Sequence, residues 1–273
     1  HLLDLTRRYS SADLALTGFL AHHVRGLRLY DRARADQKAA NENDQLPTQI
    51  DSISHTYLDA ASAFESASTA TDAERLAGAR AGNLMLLGMS IYFAGEPAGR
   101  DGVERAVTAL LGAADRSETE SLASESMWMA IRVLEAHCDR HAEDKDARRR
   151  ADELIAQFMV RYPSSPRSGE VALRQVMRAP EADERSLQLL LAVPEGTPQY
   201  DTARRHAEQM AYELFRTAST SSGSEAAWLA SRYITIAEPL LAVDQRLAYS
   251  GDSDAQAAVV LRCRRMVDAL LTL

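Results

Sequence analysis

A short pattern of side chains that recurs along the chain constrains its fold more than any other feature. In each copy a small residue is followed by a large one four positions later, and by another apolar residue three positions after that. The copies begin at residues 60, 106 and 151, so they are 46 and then 45 residues apart: Ala60, Phe64 and Ala67; Ala106, Leu110 and Ala113; Ala151, Ile155 and Phe158. Such spacings place side chains on one face of a helix. A fixed period of this length predicts repeated helical units.

Residue usage favours helices along the whole chain. The strand formers Ile and Val number only seven and twelve in 273 residues, while good helix formers fill most long segments. The prediction is an all-α fold of antiparallel helix hairpins that stack side by side, because a helix with one apolar stripe cannot bury it alone. A glycine at position 88, beside Leu84, Leu87 and Ile91, would allow close approach of a neighbouring helix.

Apolar periodicity, capping residues and breaking prolines together predict eleven helices. Their expected ranges are 11–40, 50–68, 72–94, 102–115, 119–141, 146–161, 167–178, 183–192, 198–217, 224–248 and 253–271. Pro239 lies inside one of these runs and is expected to kink or end that helix. The whole of 1–273 is interpreted as one helical-repeat domain, a fragment of a longer or processed protein, with a flexible joint at 217–224.

One segment resembles a known repeat family. Ala151, Ile155 and Phe158 precede a breaker over residues 162–166, Tyr-Pro-Ser-Ser-Pro, and a further helix with Ala172 follows. Over residues 146–178 this arrangement resembles tetratricopeptide repeats, in particular those of bacterial envelope-associated proteins. The period of about 45 residues departs from the ~34 of that family towards the length of HEAT-type helix pairs. The resemblance implies a TPR-like α-solenoid, a superhelix whose concave face holds a protein or peptide, and it favours the bacterial envelope over the cytoplasm.

Charge and hydropathy limit the classes of partner. The net charge is −8 and the sequence pI about 5.4, which argues against general affinity for nucleic-acid phosphate. Two local basic clusters, at 148–150 and 262–265, lie beside acidic residues or on a polar helix face. No apolar run approaches the roughly 18 residues that a membrane-spanning helix needs. We expect a protein or peptide partner and neither nucleic acid nor a transmembrane segment.

The only pattern of metal-ligand type is a pair of histidines near the end of one predicted helix. His137 and His141 are four residues apart, so both project from one face. A zinc protease of the His-Glu-x-x-His type needs a general base after the first histidine, and Cys138 occupies that position. His137 and His141 remain weak metal candidates, and the sequence predicts no catalytic residue, bound metal or cofactor. Gly95, Gly99 and Gly102 lack the strand and lysine of a phosphate-binding loop and predict a loop between helices.

Two enzyme classes remain as alternatives, a helical metal-dependent hydrolase and a toroid glycosidase. Against a glycosidase, Trp128 and Trp228 both lie on apolar helical patterns that predict core positions, whereas sugar-binding platforms need exposed aromatic rings. The leading hypothesis is a non-enzymatic scaffold that binds a protein or peptide on a helical-repeat surface, with the long first helix as a cap or oligomer contact. A structural subunit of a larger assembly is the other alternative. Repeat spacing predicts packing positions and leaves the partner-binding residues and the oligomeric state open.

Overall fold

The structure is a computed structural model that describes residues 18–43, 45–99, 101–178, 182–220 and 223–273. Within these residues the chain forms eleven α-helices and no strand, which confirms the predicted all-α fold. Two short 3₁₀ turns, Ala73–Leu76 and Glu96–Ala98, lie between helices. The helices are α1 (Phe19–Ala39), α2 (Asp51–Ser68), α3 (Ala77–Ala94), α4 (Gly102–Arg116), α5 (Glu120–Arg140), α6 (Lys145–Arg161), α7 (Ser168–Arg178), α8 (Glu184–Leu191), α9 (Tyr200–Ala218), α10 (Gly223–Tyr249) and α11 (Ser253–Leu270).

The predicted helix ends lie within two residues of the observed ones for nine of the eleven helices. The third helix begins at Ala77 instead of residue 72, because Leu76 leaves the helical region with φ −119° and ψ 43° and separates α3 from the preceding 3₁₀ turn. Residues 11–17 of the first predicted helix lie outside the described residues. Of the two outcomes expected at Pro239, a helix end is excluded, since α10 continues through it to Tyr249, and a kink stays a prediction.

The chain divides into two units, of which the first ends at Phe158 and the second begins at Met159. In the N-terminal unit, each helix from α1 to α4 packs against the next helix in sequence, and α3 also contacts α5. In the C-terminal unit, α7 to α11 pack in the same sequential manner, and α7 also contacts α9. The predicted joint at 217–224 falls between α9 and α10, which pack against each other, and residues 221 and 222 lie outside the described ones. One continuous domain and the flexibility of that joint stay predictions.

The three recurring triplets are buried on alternate helices. They lie on α2, α4 and α6, and none of their nine side chains is more than 6% exposed. The predicted period of about 45 residues therefore corresponds to a pair of helices. In the C-terminal unit, α9 has a small-residue face, on which Ala203, Ala207 and Ala211 are all buried. Stacking of the pairs into a TPR-like superhelix stays a prediction.

Gly88 lies where α3 and α4 approach each other closely, as its position in the sequence predicted. A Cβ atom added there would lie 2.6 Å from Cγ of Leu110 and 2.9 Å from the carbonyl oxygen of Ala106. Real Cβ atoms do not approach other atoms so closely, so only glycine fits. Leu110 belongs to the second recurring triplet, which explains why a glycine on α3 faces a large residue of the repeat on α4.

Five charged side chains join the last three helices in what we call the α9–α11 ion network: Arg205, Glu208, Asp244, Arg262 and Arg265. Asp244 on α10 is fully buried and accepts hydrogen bonds from Arg205, at 3.2 and 2.7 Å, and from Arg262. Arg262 also lies 3.7 Å from Glu208. Buried charges of this kind are tolerated only when they are paired and hydrogen-bonded.

Glu208 on α9 completes the network. It accepts a 2.8 Å hydrogen bond from the hydroxyl group of Tyr233 and lies 3.4 Å from Nη1 of Arg265. Tyr233 is fully buried. Its pKa is raised, first by burial and then by the hydrogen bond to Glu208, so its hydroxyl stays a donor. The predicted basic cluster at 262–265 is thus largely occupied in pairing within the C-terminal unit.

The network predicts that acid weakens the C-terminal unit through Asp244. Burial acts to raise the pKa of this carboxyl, but the hydrogen bonds and charges of Arg205 and Arg262 outweigh burial and hold the pKa below its ordinary value. A depressed pKa in the folded state stabilises the protein above the unfolded-state value of about 3.9, and this contribution is lost as the pH falls through the folded-state value. Urea unfolding measured from about pH 7 to about pH 2.5 checks this. Asp244→Asn should be less stable at neutral pH and should lose less stability below about pH 4; an acid dependence identical to that of the parent would contradict it.

None of the described helices is both long and apolar enough to cross a membrane.

Candidate functional site

The C-terminal unit contains a groove bounded by α8, α9 and α10, with a volume of about 740 Å³. We call it the α8–α10 groove. Eleven residues from these helices and the loop between α8 and α9 line it: Leu191, Glu195, Tyr200, Asp201, Arg204, Arg232, Thr235, Ile236, Pro239, Leu240 and Val243. Volumes of roughly 300–1,000 Å³ are typical of clefts that hold a ligand or a peptide segment.

The loop before α9 fixes one side of this groove. Thr197 caps the turn, since its hydroxyl donates to the carbonyl of Pro194 at 2.9 Å and its own carbonyl accepts from the N–H of Tyr200 at 3.1 Å. Val193 just before the turn is buried in the core of the unit. The first turn of α9, with Tyr200 and Arg204, is therefore held in place by backbone bonds and by packing.

The floor of the groove is aliphatic and rests on the core of the unit. Leu240 is only 9% exposed, and Leu191 and Ile236 are partly buried against the same core cluster. Val243, at the outer end, is more exposed. A floor whose side chains are already packed from beneath changes little on binding, which lowers the entropic cost of association.

Two arginines stand on the walls, each over an aromatic ring four residues earlier. The guanidinium carbon of Arg204 lies 4.9 Å from the ring centroid of Tyr200, and that of Arg232 lies 5.2 Å from the ring centroid of Trp228. Stacking on a ring holds a long side chain in one orientation. Stacking therefore restricts the orientations of the two arginines on the groove walls.

The two arginines differ in their partners. Nη1 of Arg232 donates to both oxygens of Glu184 at 2.6 Å. Burial acts to raise the pKa of Glu184, yet the hydrogen bonds from Arg232 and Gln188 hold it below its ordinary value, so the pair stays charged. Arg204 has no such partner among the described residues, and its buried Nε atom makes no hydrogen bond there. A buried donor of this kind in a native fold needs an explanation.

Pro239 leaves one backbone carbonyl of α10 without its usual hydrogen-bond donor. Proline has no N–H, so it cannot bond the carbonyl of Thr235, one turn earlier on α10. Both residues line the groove. The Thr235 carbonyl therefore lacks its regular helical donor, while the hydroxyl group of the same residue donates to the carbonyl of Ser231 at 3.0 Å. The groove thus combines an arginine and an aliphatic floor with a turn of α10 that lacks one backbone hydrogen bond.

A second, smaller cleft lies in the N-terminal unit and contains the two histidines. Its volume is about 250 Å³, and its lining includes Arg140 and Glu96 together with His137 and His141. The loop glycines at 95, 99 and 102 line the same cleft. The structure therefore brings the histidine pair and the glycine loop together in one cleft.

The two histidine rings lie close together, with centroids 4.6 Å apart, although only His137 is helical, because α5 ends at Arg140 and His141 follows as its C-cap. Nε2 of His137 lies 3.0 Å from Oδ2 of Asp144, and Nδ1 of His141 lies 3.6 Å from Glu143. The pKa of Asp144 is lowered, first by the N–H of Ala147 and then by His137. Within the part of the chain that the structure describes, no three His, Cys, Asp or Glu side chains are placed to hold a metal ion. Cys138, which lies on α5 between the two histidines, is buried.

The two tryptophans do not both occupy core positions. Trp128 is half-buried, whereas Trp228 is 57% exposed, so its predicted role as a core anchor is wrong. The apolar pattern predicted burial of Trp228, but the buried residues of that helical turn are its neighbours Leu229 and Ala230. One argument against a glycosidase is therefore weakened, although the guanidinium of Arg232 covers one face of the exposed ring.

Sequence reasoning missed the α8–α10 groove, although a signal for its walls was present. Tyr200 with Arg204 and Trp228 with Arg232 share the spacing of four residues that stacks a cation on a ring along a helix.

Comparisons of this chain with protein-family models, with curated proteins and with solved structures find no match.

Proposed function

We propose that this chain is a non-enzymatic scaffold that binds a peptide segment of another protein, and that the α8–α10 groove is its binding surface. The observation that carries the proposal is the combination, in one groove, of a packed aliphatic floor, the unpaired guanidinium of Arg204 and the carbonyl of Thr235 that Pro239 cannot satisfy. These are groups for recognition, since apolar anchors supply affinity and a few polar groups fix orientation.

The groove fits an extended peptide with one aliphatic anchor. The anchor would contact Leu191, Ile236 and Leu240, an oxygen of the peptide would accept from Arg204, and an N–H of its backbone would donate to the carbonyl of Thr235. Arginine at such a position is a frequent contributor to binding energy. Glu195 and Asp201 on the rim would favour a cationic residue elsewhere in the same peptide.

The test is selection of peptides from a random 12-residue display library on the wild-type protein, followed by affinity measurements on two groove variants. Val243→Glu places a charge at the exposed end of the floor, and Arg204→Ala removes the guanidinium. Because neither residue is fully buried, both variants should fold. We expect selected peptides to share an aliphatic residue and to bind each variant about tenfold more weakly or worse, a loss of about 1.4 kcal/mol.

Val160→Glu is the matched control, because Val160 is an exposed valine that does not line the groove. It should bind the selected peptides as the wild type does. Failure to select any peptide, or selected peptides that bind Val243→Glu and Arg204→Ala with unchanged affinity, would overturn the proposal.

A further inference from the structure

The outward face of α11 is unusually apolar. Five large aliphatic side chains on α11 or at the residue directly after it are between 50% and 83% exposed: Val260, Leu261, Val267, Leu270 and Leu271. The face that packs against the rest of the unit instead carries Ala255, Arg262 and Ala269, all buried. The helix therefore buries small or charged residues and presents its largest aliphatic ones outwards. Contiguous exposed apolar residues of this kind mark interaction surfaces.

The exposed residues are spaced for packing against another helix. Ala257, Val260, Arg264, Val267 and Leu271 follow one another at intervals of three, four, three and four residues, which is the 3.5-residue repeat of a coiled-coil seam. At 100° per residue, Leu261 and Leu270 flank this seam on opposite sides. A partner that covers the face is thus a helix that runs along α11.

Arg264 decides which helix fits. It is exposed and has no carboxylate partner among the described residues. In a parallel pair of α11 helices it would lie opposite Arg264 of the second copy, and two like charges there would repel. In an antiparallel pair centred between residues 265 and 266, the seam matches, because Val260 then lies opposite Leu271 and Arg264 lies opposite Val267.

The antiparallel pair also supplies a charge partner. Asp268 lies on the same flank of the seam as Arg264, and the antiparallel arrangement brings it to almost the same height as Arg264 of the second copy. Oδ2 of Asp268 accepts from the hydroxyl group of Tyr212 at 3.0 Å, and the Asp268 side chain has no other partner within the residues that the structure describes. Its other oxygen is available for Arg264, and the twofold symmetry makes this ion pair twice.

We propose that α11 is a dimerisation helix, which pairs antiparallel with α11 of a second copy of this chain through the Val260, Val267 and Leu271 seam and two symmetric Arg264–Asp268 ion pairs. This interface is separate from the α8–α10 groove, whose lining comes from other helices and from the loop between α8 and α9. The proposal therefore stands or fails independently of peptide binding.

Sedimentation equilibrium of the full chain from about 1 μM to about 200 μM tests the proposal. We expect the mass to rise from the monomer value of 30.0 kDa towards twice that value. Arg264→Glu faces Asp268 of the second copy with a like charge, and Asp268→Arg faces Arg264 in the same way. Each variant should raise the dimer dissociation constant about tenfold or more. An equimolar mixture of the two should dimerise again, since both cross-pairs are then of opposite charge.

Circular dichroism of each variant establishes that it is folded, and Tyr249→Glu, a change at an exposed residue outside α11, should dimerise as the wild type does. A wild type that stays monomeric over the whole range would overturn the proposal. So would an Arg264→Glu variant that dimerises normally, or a mixture of the two variants that stays monomeric.

Discussion

Replacing Arg262 with methionine is expected to lower the free energy of unfolding by about 3–5 kcal/mol, the range found when one partner of a buried ion pair is removed. Arg262 is almost fully buried and contacts both Asp244 and Glu208. Methionine fills similar space without charge. The expected loss in free energy of unfolding is therefore the cost of leaving two buried carboxylates with fewer partners. Chemical denaturation, monitored by circular dichroism at neutral pH, measures it.

Two further variants separate loss of charge pairing from loss of packing. Arg262→Met combined with Asp244→Asn removes both charges of the pair and should be clearly more stable than the sum of the two single changes predicts, because the residues are coupled. Arg216→Met changes an exposed arginine on α9 and should alter stability by less than about 0.5 kcal/mol. If Arg262→Met is as stable as the parent, the α9–α11 ion network does not hold these helices together.

A second large effect is expected at the contact between α3 and α4. Gly88→Ala should destabilise the protein by about 1–3 kcal/mol, as overpacked cores do, because the new methyl group would meet both Leu110 and the carbonyl oxygen of Ala106. Leu110 can shift at some cost, but the carbonyl belongs to the backbone of α4. The helices would have to separate, and the buried face of the second recurring triplet would lose contacts.

The matched control for Gly88 is on the same helix. A Cβ atom at Gly82 would have no atom within 4 Å. Gly82→Ala should therefore show only the preference of helices for alanine, a stabilisation of up to about 1 kcal/mol. The same substitution six residues apart is thus expected to change stability in opposite directions. Thermal unfolding of the two variants, measured side by side, checks this, and equal shifts would contradict the assigned packing.

What the sequence could reveal was the packing within each helix pair. The triplets and Gly88 were found because burial repeats with the period of a helix, and each such residue carries its own signal. Trp228 shows where this reasoning ends, since an aromatic residue among buried neighbours looks the same in sequence whether its ring faces the core or the solvent.

The candidate site depends on distances between helices that are remote in sequence. Arg204 and Thr235 lie on different helices and line one groove only because α9 packs against α10. The ion network likewise joins residues from position 205 to position 265. Charge patterning within a helix can indicate that a residue is polar, but its buried partner is chosen by the tertiary fold. The partner-binding surface was therefore outside the reach of repeat spacing.

The buried charges of the C-terminal unit also bear on how its helices are aligned. The face of α9 with Ala203, Ala207 and Ala211 is nearly smooth, and a smooth face offers little resistance to sliding along its neighbour. A slide of one helical turn would carry Glu208 about 5.4 Å away from the groups it bonds and leave it buried without a partner. Alanine contacts resist such a shift weakly, whereas buried charges oppose it strongly. The α9–α11 ion network thus acts together with larger core side chains such as Phe215 and Tyr233 to select one register for three helices.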